Sequence, residues 1–141
     1  MSSVWPVMQA IYNNWNNNNL TQYCRGGLWA SVVPAGTPYP CATYDMISSP
    51  VTERARKTTT QMTWIYLTRF QIVLYDENLA TLGAAAEKIR EAYDLADLVL
   101  LGNAGTVLQC KYVNELPRKL DEEVWQWMFE YEIHREATVQ G

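Results

Sequence analysis

His134 is the chain's one histidine and the first candidate for a general base, because nucleophilic catalysis most often pairs a hydroxyl or thiol with imidazole. It closes a period-two run in company with Gln126, Glu130 and Glu132, which places it on the wet side of a terminal strand. No serine sits in a nucleophile elbow. Glu87 and Glu91 stand one helical turn apart, a spacing that could couple two carboxylates, but Lys88 and Arg90 lie among them and the pattern is that of a solvated helix face. Glu91, Asp94 and Asp97 are the densest acids. Their spacing fits no calcium loop, and the glycine such a loop needs at its sixth position is missing. Gly26-Gly27 lacks the Lys-Ser/Thr and the helix that would make it a phosphate cradle. Cys24, Cys41 and Cys110 are odd in number and include no C-x-x-C pair. They read as reduced thiols in a protein folded in the cytosol, with Cys41 and Cys110 as small hydrophobes in strands. The expectation is a non-enzyme with no catalytic residue, no metal and no cofactor.

The totals turn attention from chemistry to association. The 141 residues suit one domain, 1–141, with one core. Hydrophobic residues make up 48%, enough to fold, while the 18% charged content is low. Six Trp and nine Tyr are many for so short a chain; they can fill a small core, and aromatics also recur at the centres of protein interfaces. A formal charge of −4 argues against gripping DNA, since phosphate neutralisation supplies that affinity. The N-terminus has neither the basic region nor the apolar run of a signal peptide, and no segment is apolar for long enough to span a bilayer, so a soluble protein is expected.

A first helix is expected from a Ser2 or Ser3 cap, with Pro6 in its opening turn and a stripe of Val4, Met8, Ile11 and Trp15. The asparagines at 13, 14 and 16–19 end it. Residues 20–40 are punctuated by glycine and proline, with a short strand within Leu28–Val33. Strands follow at Cys41–Ile47 and Met62–Tyr75. The second is overlong, so either a bulge divides it or one end projects to pair with something else. Asp76-Glu77-Asn78 leads into a helix buried along Leu79, Leu82, Ala86, Ile89 and Tyr93. After a connector, Asp94–Gly105, a strand is expected at Thr106–Val113, with Leu108, Cys110 and Tyr112 inward. Then come a polar loop, Asn114–Glu123, a last strand, Val124–Arg135, and a frayed tail, 136–141. In the last strand Trp125, Trp127, Phe129, Tyr131 and Ile133 share one face. The fold class is α+β: a largely antiparallel, mixed sheet of about four to five strands with two helices packed on one face.

Residues 48–61 (SSPVTERARKTTTQ) are expected to form a long hairpin loop, well beyond the usual ~2–5 residues. Arg54, Arg56 and Lys57 against Glu53 make it basic in an acidic protein. Such an arm suits docking on an acidic partner or a neighbouring copy. With the flanking strand residues Trp64 and Tyr66, these four are the candidate assembly interface.

A wider pattern joins these pieces. Thr37–Ile47 (TPYPCATYDMI) leads into a strand, a long strand ends RFQIVLYDEN, a helix carries AAAEKIREAY, and a strand of alternating aromatics closes the chain. This resembles the tail terminator, or tail-completion, proteins of long-tailed bacteriophages. Arg69, Gln71, Ile72, Leu74 and Tyr75 match the family's strand, and Ala84, Ala85, Ala86 and Ile89 its helix, over roughly Thr37–Arg135. The resemblance implies a homo-oligomeric ring, commonly a hexamer, in the virion tail or neck, assembled in the host cytoplasm. The ring would cap the tail tube protein, stop its polymerisation and receive a head-connector or stopper protein. Genome DNA would pass through a neutral or negative lumen without specific binding, and no membrane partner is implied. Two alternatives stand beside this: another neck ring, for head closure or tube joining, and a small ligand-binding α+β domain with the aromatic face as its pocket.

Overall fold

The computed structural model describes residues 4–48, 51–57, 61–100 and 105–140, with side chains described for 4–47, 66–100 and 105–136. Its elements in chain order are α1 (Trp5–Asn17), a 3-10 turn (Leu20–Gln22), β1 (Leu28–Ala30), β2 (Cys41–Ser48), β3 (Val51–Lys57), β4 (Gln61–Asp76), α2 (Leu79–Tyr93), β5 (Thr106–Lys119) and β6 (Trp125–Gln140). The strands form one mixed sheet in the order β1-β2-β4-β6-β5, with β3 also paired to β4. Among the described residues only β1 and β2 pair in parallel, and the other strand pairs are antiparallel. The α+β class and the two helices on one sheet face are as expected, and β3 is the strand that raises the count to six.

The helices cover the sheet through one apolar cluster. Val7, Ala10, Ile11 and Trp15 of α1, with Leu82, Ala85, Ala86, Ile89 and Tyr93 of α2, pack on Phe70, Ile72 and Leu74 of β4 and Phe129, Tyr131 and Ile133 of β6. Phe70 stacks on Tyr131 at 5.4 Å between centroids, and Tyr93 meets both rings edge-on or tilted. Two hydrogen bonds tie the helices together: the Tyr93 hydroxyl donates to the Ile11 carbonyl (2.7 Å), and Asn14 Nδ2 donates to the Ala92 carbonyl (2.9 Å). Each satisfies a polar group that would otherwise be costly inside the core.

The asparagine run has a structural use. Asn18 Nδ2 donates back to the Asn14 carbonyl at the end of α1, and Asn19 takes a left-handed conformation (φ 52°) that asparagine tolerates better than most residues. At the other end α1 begins with Val4 in the cap position, without a side-chain cap, and Pro6 lies in the first turn as expected. Residues Ser2 and Ser3 lie outside the described residues. The buried stripe is Val7, Ala10, Ile11 and Trp15, so Val7 takes the place expected for Val4, and Met8 is half-buried. In α2, Asn78 is the cap, accepting from the Thr81 N–H at 3.0 Å, and Leu79 is exposed instead of buried.

Three expectations are corrected. Of the expected loop 48–61, the described stretch Val51–Lys57 is strand β3, paired with Met62–Tyr66 of β4; residues 49–50 and 58–60 lie outside the described residues. The segment Asn114–Lys119 continues β5 instead of forming a loop, with Pro117 opposite Trp127, a position an edge strand allows because the missing N–H can face outward. Residues 136–140 are not frayed but extend β6, pairing from Glu136 opposite Ile65 to Gln140 opposite Gln61.

The overlong strand runs unbroken. β4 and β6 pair through sixteen positions without a slip, from Gln61 opposite Gln140 to Asp76 opposite Trp125. Register shifts fall in the outer strands, between Met46 and Ser48, Val51 and Glu53, Arg54 and Arg56, Val107 and Gln109, and Tyr112 and Asn114. A bulge adds an unpaired residue and turns the alternation over. That is why Val107 and Cys110 face the core while Leu108, expected inward, is 55% exposed. Tyr112 lies on the core side as expected, opposite Tyr131 with ring centroids 6.3 Å apart, and at the sheet edge it stays 37% exposed.

Candidate assembly surface

At ~3.4 Å per residue, the sixteen residues of β4 reach about 50 Å, whereas the fifteen of α2 at ~1.5 Å reach about 22 Å. The helix-covered core touches β4 at Phe70, Ile72 and Leu74. The rest of β4, with β3 and the end of β6, carries the sheet on as a three-stranded arm. The register places Arg54 opposite Trp64, Lys57 opposite Met62, Arg56 opposite Thr63 and Glu53 opposite Ile65. Cross-strand partners share a face, so positions 54 and 57 lie on the helix side of the sheet and 53 and 56 on the other. The structure thus gathers the expected residues Glu53, Arg54, Arg56, Lys57 and Trp64 on one arm; their side chains lie outside those described.

Tyr66, the sixth expected residue, stands at the root of the arm and is engaged within the chain. It is buried, with the Arg135 guanidinium 4.8 Å from its ring centroid. Arg135 is itself fully buried, and its Nε lies 3.4 Å from the Thr68 hydroxyl. Burial holds the Arg135 pKa below the ordinary arginine value, against the pull of Tyr66. Sequence reasoning passed over Arg135. The signal was its place in the aromatic alternation, one step beyond Ile133.

Both outer edges of the sheet are blunted. On one side the short β1 flanks β2 at Ala42–Tyr44, and the rest of that side, the end of β2 and β3, carries three of the register shifts and the arm's cations; the β5 edge carries two shifts, Pro117, Lys111, Arg118 and Lys119. Bulges, proline and charge are the usual means of preventing open-ended strand addition. Such edges disfavour extension of the sheet from one molecule to the next.

The chain is also electrically polarised along its strands. The arm end holds Arg54, Arg56 and Lys57 against Glu53 in β3. The opposite end, where β4 stops and β6 starts, gathers Asp76, Glu77, Asp121, Glu122 and Glu123; the nearby cations are Arg118, Lys119 and Arg25, whose Nε donates to the Tyr39 carbonyl at 2.7 Å. Glu77, Glu122 and Glu123 are exposed. Asp121 accepts from the Glu123 and Val124 backbone N–H groups at 2.8 and 2.9 Å, which holds its carboxyl below the usual range. Beside this pole lies a cleft of about 300 Å³ lined by Val33, Pro34, Thr37, Tyr39, Cys41 and Tyr75. The Tyr39 hydroxyl is raised above its ordinary value by burial first, then by Cys41 and by the charges of Glu77, Asp121 and Asp76.

The residues examined for chemistry are accounted for otherwise. On the helix-free face His134 Nε2 lies 2.9 Å from Glu132 Oε1, and Arg69 Nε donates to Glu132 Oε2 at 3.0 Å. Burial would raise Glu132, but the bonds from His134 and Arg69 lower it overall. A surface cleft of about 380 Å³ is lined by Asp97, Cys110 and His134 among others. Cys110 is fully buried, its thiol pushed up to about 12 by burial and by Asp94, which is the reverse of an activated nucleophile. Cys24 and Cys41 are buried free thiols too, Cys41 raised to about 11. Glu87 and Glu91 are exposed, and Glu91 pairs with Lys88 at 3.7 Å. Among the described residues no group of three or more His, Cys, Asp or Glu could hold a metal ion, and no helix is long and apolar enough to cross a membrane.

No protein-family model matches the chain, and no curated protein matches it. Among solved structures, the chain is similar to one from the virion of a native gene transfer agent particle, at a TM-score of 0.57 and 18% identity, over 84% of this chain and 84% of that one. At that identity the likeness is one of fold, and it extends through nearly all of both chains.

Proposed function

We propose that this protein is a structural component of a phage-like virion: a ring-forming tail terminator that caps the tail tube, ends its polymerisation and joins the tail to the head connector. The observation that carries the reading is the fold shared with a chain of a gene transfer agent virion across 84% of each. The molecule's construction agrees with it. The arm, the blunted edges and the two unlike ends suit a subunit that meets its neighbours head to tail, and such contacts close into a ring when their rotation closes. The partners in this reading are other copies of the chain, the tail tube protein and a head-connector or stopper protein. Genome DNA passes the lumen without being held, and the protein resides in the tail or neck after assembly in the host cytoplasm.

The test is removal of the protein from an assembling particle, followed by electron microscopy. Tails of unregulated length without heads are expected, and resupplying the protein restores defined, headed tails. Tails of normal length joined to heads in its absence would refute the reading.

A further inference from the structure

The acidic end of the sheet and the basic arm cannot meet within one chain, because β4 separates them by about 40–50 Å of paired strand. Both are features a second copy could satisfy. The cleft at the acidic end offers what a guanidinium or ammonium group recognises: the rings of Tyr39 and Tyr75 beside carboxylates, in a space of about 300 Å³. Glu77 is exposed and near enough for its charge to act on Tyr39, and Asp121, fixed by two backbone N–H groups, keeps its charge to low pH. The arm offers three cations in four positions at the far end. The blunted edges direct the contact to side chains.

We propose that the basic strand β3 of one copy docks on the next copy at the cleft of Tyr39 and Tyr75 flanked by Glu77 and Asp121. The inference rests on the ring-forming reading and names the two surfaces that would join. The contact is heterologous: every copy gives an arm and receives one, so a closed ring leaves no arm and no pole unused.

Two neutralised variants test it. One carries Arg54→Ser, Arg56→Ser and Lys57→Ser; the other carries Glu77→Gln, Glu122→Gln and Glu123→Gln, sparing the buried Asp76 and the turn-forming Asp121. Their masses are measured by native mass spectrometry and sedimentation at physiological salt, with circular dichroism as the check on folding. The wild type is expected to form a closed multimer and each variant alone to stay monomeric, its self-association weakened at least about tenfold, as for loss of a charge contact at an interface. An equimolar mixture is expected to stop at one-to-one dimers, because the pole variant still has an arm and the arm variant still has a pole. Tyr39→Ala probes the cleft without changing charge and is expected to weaken assembly in the same direction. If either charge variant assembles like the wild type, or the mixture stays monomeric, the arm-to-pole contact is overturned while ring formation stands. A wild type that is monomeric at every concentration overturns the contact and the ring-forming reading together.

Discussion

The two halves of the sheet use the same long strands for opposite purposes. Where α1 and α2 lie on it, β4 presents Phe70, Ile72 and Leu74 to a dry cluster in which Tyr93 and Asn14 each find a hydrogen-bond acceptor. Along the arm the same strand continues at the same alternation, but its partners are β3, with three cations in seven residues, and the polar end of β6. The first half is held by apolar burial and would fold with little regard to neighbours. The second is held by backbone ladders that run beyond the helix-covered stretch. Long strands thus transmit the rigidity of a packed core to a surface about 25 Å or more away, which a flexible loop could not do.

The sharpest way to separate the halves is to damage the core. Phe70→Ala removes a fully buried ring stacked on Tyr131 and should cost about 3–5 kcal/mol, read as a fall in the urea midpoint. A loss below about 1 kcal/mol would mean that the helix-covered half is not the stabilising one. Next in size is Gly26→Ala. A Cβ there would stand 2.2 Å from the Pro38 carbonyl oxygen and 2.5 Å from Cys41 Cβ, since the Gly26 N–H donates to the Pro40 carbonyl at 2.8 Å. We expect a loss of about 1–3 kcal/mol, or more if the 38–41 backbone cannot yield. This glycine is present for close packing against β2, which is why it lacks the flanking residues of a phosphate loop.

What could be read in the sequence follows the same division. The aromatic alternation of β6 and the stripe of α2 were legible because a wet face and a dry face impose contrasting residues at fixed periods. β3 was not, because Val51–Lys57 has no apolar alternation and register shifts at two places break its period. It exists as a strand because β4 offers it a ladder, which is a tertiary fact. The extension of β5 was masked by Asn114, Glu115 and Pro117, which are loop formers by composition. Glu115 is the informative case. It lies in register with Phe129, on the core side, and is satisfied there by Arg90 Nε and Nη2 at 3.1 and 2.5 Å and by Trp127 Nε1 at 2.8 Å. No local pattern announces a carboxylate on a core face whose three donors come from a helix and a neighbouring strand. The candidate assembly residues were chosen on loop length and charge. The error about their secondary structure did not move them, because strand and loop alike place 53–57 far from the helices.

Glu115→Gln tests that junction between the core half and the outer strand. It keeps the shape but removes the charge that Arg90 pairs with, and burial and hydrogen bonding suggest a loss of about 1–2 kcal/mol. Arg90 is partly exposed, so the loss should stay at the lower end if solvent shares the guanidinium. Hydrogen exchange should quicken at Asn114–Lys119 and leave β4 unchanged. Uniform quickening of the whole sheet would show that the halves are one cooperative unit and that the division drawn here is wrong.

The smallest effect on stability is expected where the effect on assembly is largest. Positions 54, 56 and 57 stand opposite Trp64, Thr63 and Met62, beyond Phe70, Ile72 and Leu74 where the helix-covered cluster meets β4, and surface substitutions away from caps, cavities and networks usually move stability by about 0.5 kcal/mol or less. The triple serine variant should therefore unfold within that margin of the wild type while tail attachment fails. Serine keeps the backbone donors of the β3 ladder and a fair tolerance for extended structure, so the variant alters charge and side-chain reach but not the strand. A large stability loss would place the cations in the fold's own support. A small one together with normal attachment would remove the arm from assembly. Only loss of attachment in a stable protein fits an arm whose purpose lies in the neighbouring subunit, and that combination is the one the polarised sheet predicts.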